Sequence, residues 1–173
     1  MSAYDYYNTV PGPEAYLSGT ISALSYAYLS KIIPQFWAVE ADVFKANKSN
    51  ICESIRIRLH EYLDNQIFDI KTVTRVYKLN FDLELIEGDL STIIQKIIYE
   101  PGHQVPNVNN YIDDFFKSVR FYLGEKSNIY RIKGKLNEDI TDVLSDFYTY
   151  VVFDVLFIEY KNHMLMIVFG SDE

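Results

Sequence analysis

Apolar positions along the chain recur with two periods, and the change from one to the other predicts its elements. After the turn signal Pro11-Gly12-Pro13, the residues Leu17, Ile21, Leu24, Tyr28 and Ile32 fall at helical spacing. A helix is expected from Pro13, a favoured first helical residue; Gly19 weakens it and Pro34 stops it. Positions 36–44 alternate loosely and read as a first strand, although Ala38 and Ala41 blur the pattern. Ser49 is then read as the cap of a second helix, with Ile51, Ile55, Leu59 and Leu63 inward and Glu53, Arg56, His60 and Asp64 on the opposite face.

Strict alternation follows over 71–86. Val73, Tyr77, Leu79, Phe81, Leu83 and Leu85 share one face, and Thr72, Thr74, Lys78, Asn80, Asp82 and Glu84 share the other. That run is long for one strand, so a bulge or break is expected inside it. A short helix over 90–99, a loop over 100–107 and a third amphipathic helix with Tyr111, Ile112, Phe115, Phe116 and Val119 inward come next. After a turn at 124–128, a strand is expected over 129–136. Asn137 then caps a last helix whose apolar side is Ile140, Val143, Leu144 and Phe147. The chain closes with apolar runs at 150–160 and 164–169 around the turn Lys161-Asn162-His163. Both runs are apolar on both faces, which places this hairpin at the centre of a sheet. The expected fold is α+β: a largely antiparallel sheet with a C-terminal hairpin, packed against four to five helices. Its 173 residues suit a single globular domain, with 1–12 as a loosely packed N-terminal segment.

Charge narrows the partners. With 16 Lys and Arg against 24 Asp and Glu, the formal net charge is −8, a surface that repels phosphate backbones and attracts basic proteins. Direct nucleic-acid binding is therefore not expected. Tyr and Phe, at 15 and 11 residues, suit sheet faces and recognition surfaces alike. Cys52 is the single cysteine, so neither an internal disulfide nor a thiolate metal cluster can form. The first residues lack the basic-then-apolar order of a signal peptide, and no apolar run is long enough for a membrane helix. A cytoplasmic protein is the expectation.

Ordinary catalytic equipment is missing from the sequence. His60, His103 and His163 stand at no metal-ligand spacing, and no nucleophile elbow or phosphate-cradling glycine loop occurs. Cys52 lies early in a helix, where the dipole favours a thiolate, but a small core residue is the plainer reading. Asp82 and Glu84 share a strand face, yet Ile86 stands where a metal-dependent nuclease would place a lysine. Neither a metal nor a cofactor is expected.

Two groups of acids remain. Asp154 and Glu159 are embedded in the apolar C-terminal hairpin and, by parity, point to opposite faces. A carboxylate there must be paired, so Asp154 either meets an inward arginine, Arg75 or Arg131, or lines a ligand pocket. On the last helix Glu138, Asp142 and Asp146 recur at i, i+4 and i+8 with Asp139 beside them and no Lys or Arg between. Such a stripe is either a solvated face or the counterpart of a basic groove.

A small, acidic chain without a catalytic set and with an apolar hairpin near its C-terminus resembles, in general character, the bacterial toxin-immunity proteins and other inhibitors of nucleic-acid enzymes. The resemblance covers no specific motif. It implies a non-enzymatic binding protein that neutralises a basic toxin or nuclease, with Glu138, Asp139, Asp142 and Asp146 facing the partner. The alternatives are a ligand-binding or enzymatic domain with a pocket near Asp154 and an oligomeric accessory protein.

Overall fold

The computed structural model describes residues 12–47, 49–63, 81–98, 106–134, 138–148 and 151–172. In chain order the elements are α1 (Gly12–Tyr28), a 3-10 turn (Leu29–Lys31), β1 (Trp37–Lys45), α2 (Ile51–Leu63), β2 (Leu83–Leu85), α3 (Leu90–Ile98), α4 (Val108–Leu123), β3 (Ile129–Ile132), α5 (Glu138–Tyr148), β4 (Val151–Glu159) and β5 (His163–Ser171). The strands form one sheet in the order β1-β5-β4-β3-β2, with every neighbouring pair antiparallel. The chain is an α+β protein.

The hairpin β4–β5 lies inside the sheet because both of its faces are covered. From Met164 to Gly170 no residue of β5 is exposed, and the buried side chains divide by parity into two cores. Leu156, Ile158, Leu165, Ile167 and Phe169 belong to one, packed with Ile21, Ile94, Ile112, Phe115 and Val119 of α1, α3 and α4. Val155, Phe157, Met164, Met166 and Val168 belong to the other, packed with Ile55 of α2 and Val143, Leu144 and Tyr148 of α5. A sheet covered by helices on both sides needs continuous apolar strands at its centre, and the two runs supply them.

β1 pairs with β5 along its whole length, from Trp37 opposite Ser171 to Lys45 opposite His163. Among the described residues, closing the first strand onto the last makes β1 one edge of the sheet and the short β2 the other. There Leu85 is 57% exposed although it shares a face with buried Phe81. Positions 71–80 of the expected long strand lie outside the described residues, as do 1–11, 99–105 and Asn137. β3 is shorter than the expected 129–136, and Gly134, at φ 81, turns the chain away beyond it.

Three local expectations are corrected. The buried line of α1 is Ala15, Ser18, Ile21 and Ser25, continued by Leu29 of the 3-10 turn, with Leu17, Leu24 and Tyr28 only partly buried. Small side chains let this helix approach the neighbouring strand closely, so the large residues flank the contact. Asn50 rather than Ser49 caps α2: its side-chain oxygen accepts the Glu53 N–H at 3.1 Å, while the Ser49 N–H and hydroxyl turn back to Asn47. The inner side of α2 also carries two polar residues, Ser54 and Arg58, beside Ile55.

Candidate functional site

Between Val152 and Asp154 the β4–β5 register slips at a bulge, which sets Asp154 opposite Phe169 on the face of Leu156. Arg131, opposite Leu156 on β3, shares that face. Its Nε donates to Asp154 Oδ1 at 2.9 Å, and its Nη2 pairs with Oδ2. The Val155 N–H donates to Oδ1 at 2.8 Å. Both carboxylate oxygens are thus committed to protein donors, and Arg131 is the arginine that meets them; Arg75 lies outside the described residues. The pair is asymmetric, with the arginine side chain 44% exposed and the carboxylate 8%. Burial pushes the Asp154 carboxyl above its ordinary value, against the pull of the Arg131 guanidinium and the Val155 N–H.

That shift has a sign. A carboxyl raised in the folded state adds stability that is complete below its unfolded pKa and lost as pH rises through the folded value. In urea melts at pH 4 and pH 7, Asp154→Asn should therefore gain stability relative to the parent on going to pH 7. An unchanged difference between the two at both pH values would show that Asp154 titrates as an ordinary carboxyl.

Glu159 points to the opposite face, beside Met164. Its Oε2 accepts from Asn128 Nδ2 at 2.7 Å and from the Tyr130 hydroxyl at 3.2 Å. Burial and this neighbouring acid both push the Tyr130 phenol up. Asp154 and Glu159 lie on separate sides of the sheet and share no site. A third buried acid, Asp42 on β1, is held by Arg58 of α2 and by the Ser18 hydroxyl of α1 at 2.8 Å. Sequence reading missed it. The available signal was the position of Arg58 three residues after Ile55, on the inner side of α2.

The acids of the last helix all fall within α5. Asp142 is exposed while Val143, Leu144 and Tyr148 are buried, so this helix turns one side to the sheet and Asp142 to solvent. Helical spacing puts positions 138 and 146 on the side of Asp142. The last turn of α5 holds no basic residue.

Among the described side chains, Cys52 and His163 remain. Cys52 is partly buried with its thiol directed at the Phe81 carbonyl, and burial pushes its pKa up despite Arg56, the reverse of an activated thiolate. Burial pushes His163 down, a loss partly offset by Glu14. Among the described residues no group of three or more His, Cys, Asp or Glu is placed to hold a metal ion, and no helix is long and apolar enough to cross a membrane. Asp82 and Glu84 are both exposed, and Glu84 stands in register opposite Arg131.

One further surface feature was not visible in the sequence. Trp37 and Phe153 meet edge to face with ring centroids 4.9 Å apart, and Phe36, Val151 and Phe153 are exposed beside them at the end of the sheet. Comparison with protein-family models, with curated proteins and with solved structures gives no match.

Proposed function

We propose that this chain is a non-enzymatic, acidic binding protein that acts by direct protein–protein contact on a basic partner, in the manner of an immunity protein or inhibitor that neutralises a basic toxin or nuclease in the cytoplasm. The observation that carries this reading is α5. Its apolar side is spent on the core, and its outward side offers Asp142 within a helix that also contains Glu138, Asp139 and Asp146 and has no basic residue. A like-charged stripe opposes itself by about 0.2–0.5 kcal/mol per pair and raises the attraction for a cationic surface. The acids inside the sheet do not compete for this role, since Asp154, Glu159 and Asp42 are each held by protein donors.

Charge reversal tests the placement. The double variant Asp142→Lys/Asp146→Lys should keep the parent's fold and slow association with a basic protein that binds the parent, by about tenfold or more at low salt. The loss should shrink as salt is raised. Stopped-flow association rates at two ionic strengths give the answer, and equal rates for parent and variant would remove α5 from the interface.

A further inference from the structure

We infer that the end of the sheet formed by Phe36, Trp37, Val151 and Phe153 is the anchor site for a basic protein segment that carries a large apolar side chain. The inference rests on the basic-partner reading and locates where such a partner is gripped. One register row and two irregularities of the chain meet at this place. Val151, Ser171 and Trp37 stand in register across β4, β5 and β1, so Val151 and Trp37 flank the same row. The bulge at Phe153 leaves that ring partly exposed against Trp37, and bulges commonly re-aim a side chain at a functional surface. Phe36 is 63% exposed and sits at φ 78.

That conformation is informative because of the residue that holds it. Asn107, also at positive φ, is of a type that tolerates the left-handed region. A phenylalanine there is strained. Its carbonyl accepts the Asp172 N–H at 2.9 Å, and the following Trp37 N–H closes a turn onto the Pro34 carbonyl at 3.2 Å. The chain thus holds a large ring in a strained conformation without burying it. Exposed aromatic rings grouped with strain mark a contact surface rather than a packing solution.

Charge selects the occupant. The Val152 N–H donates to Ser145 Oγ at 3.1 Å, so the end of the acidic helix α5 meets the start of β4, on the face of the sheet opposite Trp37. Exposed Asp172 stands beside Phe36, and Arg131 on the neighbouring strand is already paired with Asp154. A second copy of the chain would bring a net charge of −8 against −8, which opposes self-association. Cationic side chains beside an apolar anchor suit both the acids and the rings.

Trp37 is the sole tryptophan, so its fluorescence reports on this surface in the intact chain. Three synthetic peptides of equal length serve as probes: one of lysine and leucine, one of lysine and serine, one of glutamate and leucine. The lysine–leucine peptide should shift Trp37 emission to the blue saturably and shield it from acrylamide. The other two should bind at least about tenfold more weakly and leave the emission unchanged. Phe36→Gly should raise Tm by a few degrees through release of strain, while weakening the lysine–leucine peptide about tenfold or more. Equal binding of both lysine peptides with Trp37 unmoved would overturn the anchor and leave the acidic surface standing. Failure of every lysine peptide at low salt would overturn both. A Trp37 shift that follows the chain's own concentration, with a dimer in sedimentation, would assign the face to a second copy and overturn the inference.

Discussion

Arg58→Ala is expected to destabilise the fold by about 3–5 kcal/mol. Arg58 is 3% exposed and Asp42 6%, and the two are joined by Nε to Oδ2 at 2.7 Å and Nη2 to Oδ1 at 3.0 Å. Ser18 adds a hydroxyl to Oδ1 at 2.8 Å. Removing the cation leaves a buried carboxylate opposite Met166 and on the face of Phe44, without its two guanidinium donors. The trio also joins three elements, because Ser18 belongs to α1, Asp42 to β1 and Arg58 to α2. Guanidinium melts should show the loss as a lower midpoint with an unchanged slope. The double replacement Asp42→Leu/Arg58→Met removes both charges at once and should recover most of it, since a buried pair replaced whole by apolar residues is often neutral or stabilising. A double variant as unstable as Arg58→Ala would mean that the pair does more than balance charge.

Phe157→Ala should cost a similar amount, about 3–5 kcal/mol, by loss of apolar transfer and creation of a cavity. Phe157 is 1% exposed at the middle of β4, opposite Met166 on one side and Tyr130 on the other. It packs in the core that α2 and α5 close. Methionine is flexible, so Met164 and Met166 can move partly into the gap, which favours the lower end of the range. For a chain of ordinary stability, about 5–15 kcal/mol in total, either single change removes a large share. A loss below about 1 kcal/mol in the same melts would indicate that this core is loosely packed around position 157.

These two sites differ in how far they could be read from the residues alone. Phe157 lies in a run that is apolar on both faces save for Asp154 and Glu159, and such a run has few homes other than a covered central strand. The stripe of Ile112, Phe115 and Val119 on α4 was legible for the same reason of periodicity. Asp42 and Arg58 were not. A charge in a strand or helix ordinarily marks the wet side, and covering both faces of β1 cancels the alternation that would have exposed the exception. The α1 surface was misjudged through size, because hydrophobicity favours Leu17 and Leu24 while close packing favours Ala15, Ser18 and Ser25.

The candidate surfaces divide in the same way. Parity alone separated Asp154 from Glu159, and the need to pair a buried carboxylate named Arg131 among two arginines. The strained Phe36 and the bulge at Phe153 have no sequence signature of their own, since no glycine stands at either and Pro34 marks a turn without marking the positive φ two residues on. Their meeting depends on β1 closing against β5, a long-range pairing that local pattern does not contain.

The most direct measurement is capture from a lysate of the source cells, with the intact chain immobilised and the retained proteins identified at about 0.05 M and about 0.5 M salt. A basic protein held at the lower salt, released at the higher and poorly held by Asp142→Lys/Asp146→Lys is the predicted result. Retention that ignores both salt and charge reversal, or capture of acidic proteins alone, would contradict a function built on an acidic face.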